Sequence, residues 1–157
     1  MSFWGTNFEL IVKTFLISMV PVVELRGAVP IAVHDGLNIW LALGVSIVGN
    51  LVPVPFIILF VRNLFDFLRK HFSKLDGIIT RIEKRAEKKS KTVLKYAFWG
   101  LFVLVAIPLP GTGAWTGALV AAMLDMRLKR AFPSIALGVI AAGIIMAIVS
   151  YTGTIIF

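Results

Sequence analysis

PVVELRGAVP, residues 21–30, and PLPGTGAWTG, residues 108–117, each interrupt an apolar stretch that is too short on either side of the break to cross a bilayer. The first stretch runs over residues 10–32 and the second over 96–124. An arm of roughly a dozen residues rises about 18 Å as a helix, against a hydrocarbon core of about 30 Å. The pattern predicts two re-entrant helical hairpins whose broken tips lie at membrane depth. Proline removes backbone donors and glycine permits close approach of other groups. Pro21, Gly27 and Pro30 therefore mark the first tip, and Pro108, Pro110, Gly111, Gly113 and Gly117 the second. Irregular backbone is tolerated at that depth only where protein or a watery cavity surrounds it, which makes the tips the first place to look for a site.

The rest of the chain fits this frame. Of 157 residues, 59% are hydrophobic and 15% charged, and the mean hydropathy is +0.93, outside the range of soluble domains. Residues 37–61 and 132–157 are each long enough to cross once, with some tilt. The expected fold is an all-α integral membrane protein of two hairpins and two full transmembrane helices. So small a chain encloses no long pathway alone, so a homodimer or larger assembly is expected. The absence of cysteine removes disulfides and thiolate sites, and two histidines do not build a zinc site; no metal or cofactor is expected. No basic run precedes the first apolar segment and no small-residue cleavage site follows it, so that segment is expected to stay in the mature protein.

Charge sets the topology. Residues 62–95 hold 11 of the 16 Lys and Arg and four of the eight Asp and Glu, a net of 11 − 4 = +7. By the positive-inside rule this segment is cytoplasmic, as is the cluster Arg127, Lys129 and Arg130. The second hairpin then enters and leaves on the cytoplasmic side. A single crossing by residues 37–61 puts the first hairpin, and both termini, outside; Lys13 fits that placement poorly. The chain divides into a first repeat (1–61), a linker (62–95) and a second repeat (96–157), related as an inverted repeat that meets at the midplane.

In the linker, Phe65, Leu68, Phe72, Leu75, Ile79, Ile82 and Ala86 recur at spacings of three and four, with Lys and Arg on the other faces. This predicts an amphipathic helix lying on anionic headgroups of the inner leaflet, with a dimer seam as the alternative and Gly77 as a possible division. Without aromatic interleaving, nucleic acid is not the expected partner.

The polar residues of the tips carry the chemistry. Glu24 and Arg26 sit two apart beside Gly27, where an unwound turn would let both face one side. Each unpaired charge at the bilayer centre costs around 2.5–3.5 kcal/mol, so partners are expected. Arg26 would bind an anionic head and Glu24 would carry a proton or cation; the alternative is a structural ion pair that pins the tip against the opposing hairpin. In the second tip, Thr112, Trp115 and Thr116 supply hydroxyls and a ring, and the glycine amides ahead of a helix start form an anion nest, or simply a tight turn. Asn50 lies ahead of Pro53 and Pro55, whose missing N–H groups free the carbonyls of Gly49 and Leu51; this is either a ligand site or a kink. Ser134, Gly138 and Ala142 read as a helix-packing face, and His34 with Asp35 as a solvated external turn.

Taken together, Pro21, Glu24, Arg26, Gly27, Ala28 and Pro30, the Gly49-Asn50 pair ahead of prolines, and residues 108–117 resemble the small multi-drug export protein family of prokaryotic membrane proteins. The resemblance covers nearly the whole chain and implies export across the cytoplasmic membrane. The layout is also similar to that of DedA-type lipid transporters, although Thr112 and Trp115 stand where those families carry an arginine-rich second tip. The expected function is secondary, possibly proton-coupled, export or flipping of an amphipathic and anionic small molecule or lipid. A cationic drug exporter, a non-transporting scaffold and an intramembrane lipid-modifying enzyme are the alternatives. No paired carboxylates, Ser-His pair or metal cluster accompanies the tips, so an enzyme is not expected.

Overall fold

In the computed structural model, which describes residues 3–71, 77, 90–109 and 111–156, the backbone is helical where the sequence is continuously apolar and turns where Pro, Gly or Asp interrupt it. Helix α1 (Phe3–Met19) turns through residues 20–23 into α2 (Glu24–His34). A second turn leads to α3 (Ile39–Leu51), which bends at Val52 and continues as α4 (Pro53–His71). Beyond the basic segment, α5 (Ser90–Ala106) reaches the second break, α6 (Ala114–Met123) leaves it, and α7 (Leu128–Ile156) follows. No strand occurs among the described residues.

The turns after α2 and α6 are closed by the same hydrogen bonds. The N–H of Leu37 reaches the carbonyl of Ala32 at 2.9 Å and that of Gly36 reaches Val33 at 3.1 Å; Met126 reaches Ala121 at 2.9 Å and Asp125 reaches Ala122 at 3.1 Å. This is the Schellman closure, with Gly36 (φ 94°) and Asp125 (φ 51°) in the left-handed position it requires. Each closure is followed by a buried apolar residue, Leu37 or Met126, and then by a long helix. The two stretches match at a constant offset of 89 residues, from Ala32 and Ala121 to Gly49 and Gly138.

Those two glycines hold the long helices against the outer hairpin arms. A Cβ on Gly49 would lie 2.7 Å from the Phe15 carbonyl of α1 and would overlap Ser18 Oγ. A Cβ on Gly138 would lie 3.0 Å from the Phe102 carbonyl of α5 and 2.7 Å from Val105. Between these crossings a core of Leu25, Val29, Val54, Ile58, Val105, Ile135 and Val139 joins α2 to α7. The α2–α3 turn sits at the start of α3, whereas Asp125, after α6, pairs at 3.1 Å with Arg62, in the middle of α4 and near the end of the apolar Ile39–Leu64 span. Twenty-three residues of helix, about 35 Å, separate Ile39 from Arg62.

Ile39–Leu64 and Leu128–Gly153 are long and apolar enough to cross a bilayer, and only 28% and 33% of their apolar windows are buried. The core helix of a soluble domain would be mostly buried, whereas here Trp40, Phe56, Phe60 and Ile148 face outward.

Several boundaries differ from the sequence reading. The outer arms are not a dozen residues but 17 each, because α1 begins at Phe3 and α5 at Ser90, so polar residues extend the helices outward from the apolar stretch. The spans begin and end a few residues from 37–61 and 132–157. The first break is confined to residues 20–23, with Val22 (φ 79°) and Glu24 (φ 49°) in left-handed conformations. Arg26 and Pro30 therefore lie in α2 and not in an unwound tip, and Gly117 lies in α6. Proline inside α2 costs only the hydrogen bond to the residue 26 carbonyl, which burial of the Leu25, Ala28, Val29 and Ala32 face outweighs. Phe72, Leu75, Ile79, Ile82 and Ala86 of the linker stripe, and Pro110, lie outside the described residues.

Candidate functional site

The two tips meet, and Glu24 is the residue that joins them. It opens α2 and is 3% exposed. Its Oε1 accepts from the Trp115 N–H at 3.1 Å and its Oε2 from the Ala114 N–H at 3.3 Å. These are the first two amides of α6, whose N-cap residue, Gly113, brings no capping side chain. A helix N-terminus leaves such donors unpaired and carries partial positive charge, so a carboxylate there is stabilised twice over, by up to about 2 kcal/mol for the dipole in a partly buried setting. The donors at this helix start are the amides of Ala114 and Trp115 and not the glycine amides read from the sequence, and the carboxylate of the first tip takes both.

Gly113 makes that occupation possible. Its backbone is extended (φ −165°), which any residue could adopt, but a Cβ there would overlap the Glu24 carboxylate. The requirement is for space.

Arg26 grips the other side of the second tip. Its Nη2 donates to the Ile107 carbonyl at 3.0 Å, to Thr112 Oγ1 at 3.3 Å and to the Val105 carbonyl at 3.4 Å. Its Nη1 lies 3.6 Å from Glu24 Oε2. The carbonyls at the end of α5 carry the negative end of that helix, so the guanidinium and the carboxylate address opposite partial charges on the same tip. Trp115 adds a third link, its Nε1 donating to the Met19 carbonyl at 3.0 Å. Thr112 Oγ1 also lies 2.8 Å from the Ile107 carbonyl, and Thr116 Oγ1 donates to that of Gly111 at 2.8 Å; both brace the second loop internally.

Behind this latch is a narrow crevice lined by Glu24, Leu25, Arg26, Asn50, Val105, Gly113, Ala114, Val139 and Ala142. Asn50 is 1% exposed, and neither Oδ1 nor Nδ2 has a hydrogen-bond partner; Arg26 Nε is likewise buried without one. An unpaired buried amide is costly, so a carboxamide held here in an apolar wall points to a state in which it is paired. Val52 remains in right-handed helical conformation with its N–H on the Val48 carbonyl, so the Pro53 and Pro55 segment is a kink that turns α3 into α4 and leaves Asn50 facing the crevice.

The structure therefore gathers Glu24, Arg26, Asn50, Thr112, Gly113 and Trp115, and leaves Thr116, Gly117, Pro30 and the exposed Pro21 outside the contact. Sequence reading missed the amide of Ala114, the carbonyls of Met19, Val105 and Ile107, and the α7 wall of Val139 and Ala142. Backbone groups carry no signal of their own in a sequence. The helix start after Gly113 was the available clue. Ser134 and Gly138 do serve packing: Ser134 Oγ donates to the Phe98 carbonyl at 2.6 Å. Lys13 pairs with Asp35 at 2.6 Å, which supplies the partner its placement lacked, and the Lys13 ammonium with the nearby His34 holds the Asp35 carboxyl below the usual carboxylate range.

A family model described as “Putative small multi-drug export protein” matches residues 24–145, from Glu24 into α7, which includes every residue of the latch except Met19. The chain belongs to this family and is a membrane protein. No curated protein and no solved structure matches it.

Proposed function

We propose that the protein is a secondary transporter that exports or flips an amphipathic, anionic small molecule or lipid, with the two tips as its gate. In this reading the hairpins enter from opposite membrane faces as an inverted repeat, with the basic linker on the cytoplasmic leaflet and both termini outside. The observation that carries it is the charged latch itself: Glu24 and Arg26 close the junction between two broken tips over a crevice in which Asn50 is unpaired. The 89-residue correspondence and the placement of the α2 and α6 turns at opposite ends of the apolar Ile39–Leu64 span support the inverted arrangement. Arg26 is the anchor for the substrate and Glu24 the proton-coupling group. A homodimer would give the exposed apolar faces a partner besides lipid.

The polar lining favours an anion over a cation. The Arg26 guanidinium and the Asn50 carboxamide line the crevice beside a single carboxylate, whose oxygens already accept from two amides. A cation would have to compete with Arg26 for Glu24.

The test is transport in proteoliposomes with an imposed pH gradient, comparing an amphipathic anion with an amphipathic cation. Anion flux that follows the gradient in the wild type and loses that dependence in Glu24→Gln, with folding intact, is the expected outcome. Gradient dependence unchanged in Glu24→Gln would overturn the coupling role, and flux of the cation alone would overturn the anionic assignment.

A further inference from the structure

The N-terminus of α6 already holds an anion, and that anion is the protein's own. Its two leading amides are capped from 90 residues upstream in the chain, by Glu24, across the junction of the tips. We infer that the α6 N-terminus together with Asn50 is the subsite for the anionic head of the substrate, a carboxylate or phosphate, and that Glu24 is a resident occupant which this head displaces. The inference rests on the transporter reading above and adds where the head binds and what it must expel.

Three observations converge on it. The crevice has more donors than its acceptors satisfy: after Glu24 has accepted from Ala114 and Trp115, Arg26 Nε and Asn50 Nδ2 still have no partner. An incoming anion free of the α2 tether can settle between the amides and these remaining donors, and the further oxygens of a phosphate can reach both of them. Gly113 reserves the space in front of the amides for an acceptor, a place that the Glu24 carboxylate fills and a side chain at residue 113 would take. Asn50 also carries an unpaired acceptor, Oδ1, on the same wall as Glu24, and a carboxylic acid needs such a group once it holds a proton.

Electrostatics then fixes the exchange. Arg26 is the one charged or titratable group that lines the crevice with Glu24; α3 presents Asn50, α5 Val105, α6 Ala114, and α7 Val139 and Ala142. Placing a second anion beside an ionised carboxylate, opposite a single guanidinium and away from water, is strongly unfavourable. Glu24 therefore leaves the nest as the neutral acid, taking one proton from solution. Before exchange the site holds Glu24 carboxylate and Arg26 guanidinium; afterwards it holds neutral Glu24, Arg26 guanidinium and one monoanion. The net charge is zero in both states. The displaced acid donates its O–H to Asn50 Oδ1 while Nδ2 donates to the bound head. One proton accompanies each monoanion, and the exchange is electroneutral.

Binding measured without transport tests this. Trp4, Trp40 and Trp99 are replaced by Phe, leaving Trp115 as the only tryptophan and a fluorescent reporter at the nest. The protein in phosphatidylcholine nanodiscs is titrated with sodium acetate and with sodium dimethyl phosphate, each a monoanion at both about pH 5.5 and about pH 8. A parallel arm replaces the free anion with phosphatidylglycerol in the disc, which separates a lipid head from a soluble one. The wild type is expected to bind about tenfold more tightly at the lower pH. Glu24→Ala should bind at both pH values at least as tightly as the wild type does at the lower one, and adding Asn50→Leu should weaken that binding about tenfold. Should Glu24→Ala fail to fold, Glu24→Gln, which keeps the shape, must still lose the pH dependence. Binding in the wild type that does not change with pH, or Glu24→Ala no tighter than the wild type at the higher pH, would overturn the inference. Proton-coupled flux without anion binding at Trp115 would sink the subsite and leave the transporter reading standing; binding at Trp115 without flux would do the reverse.

Discussion

At the scale of single residues, Glu24 and Gly113 form one device: a carboxylate and the empty space that admits it. Gly113→Ala puts a methyl where the carboxylate lies, so Glu24 must leave both amides and remain buried beside Arg26. A loss of about 3 kcal/mol in unfolding free energy is expected. Asn50→Leu should do the opposite, because it replaces an unpaired buried amide with an apolar group of similar shape; stability should be unchanged or raised by about 1 kcal/mol while anion binding falls. Denaturant or thermal unfolding of both variants in the same detergent checks the pair. A destabilised Asn50→Leu would mean that the amide has a structural partner. The sequence pointed to every side chain of this device, since charge at membrane depth and glycine before a helix start are conspicuous. A pair pinning the first tip against the opposing hairpin was one of its two readings, but the partners there could not be named, because they are backbone amides about 90 residues away.

At the scale of elements, the two long apolar helices and the breaks between shorter ones were legible because hydropathy and Pro/Gly punctuation are local. The ends were not. The outer arms run on through Phe3 and Ser90 because a helix leaving the apolar layer loses nothing by continuing in polar residues, and the α2 helix absorbs Pro30 because its buried face compensates for one missing bond. The crossings at Gly49 and Gly138 make a prediction that belongs here: each Ala variant forces a methyl onto a backbone carbonyl, of Phe15 or of Phe102, and should destabilise by about 1–3 kcal/mol. Gly44→Ala, where a Cβ meets nothing within 4 Å, serves as the control and should be neutral or mildly stabilising, as Ala is in a helix. Equal effects at all three positions in thermal unfolding would refute the close crossings. The Lys13–Asp35 pair ties α1 to the α2–α3 turn, and its sign is clear. A carboxyl held below its ordinary range contributes above the unfolded value and loses that contribution only as pH falls through the lower, folded one. Asp35 stays ionised at about pH 5–8, so loss of the Lys13–Asp35 tie is not expected in that window.

At the scale of the whole molecule, the Schellman closures after α2 and α6 and the glycine crossings at Gly49 and Gly138 recur at a constant spacing of 89 residues, which is the support for the repeat proposed above. The halves differ where it matters: Glu24 of the first stands at the register of Gly113 in the second, and Arg26 at that of Trp115, so the charge of one tip fits the vacancy of the other. Had both tips carried a carboxylate, like charges would have met at the junction. The sequence carries little of this likeness, because the correspondence lies in hydrogen bonds that any residue can make. Everything proposed for the gate depends on the two hairpins entering from opposite faces. The chain has no native cysteine, so His34→Cys, on the exposed turn after α2, and Arg127→Cys, on the exposed turn after α6, can each be labelled with a membrane-impermeant maleimide on intact cells and on inverted vesicles. Labelling of position 34 only on intact cells and of position 127 only on inverted vesicles is the expected result; labelling of both from the same side would contradict the opposed tips and the gate built on them.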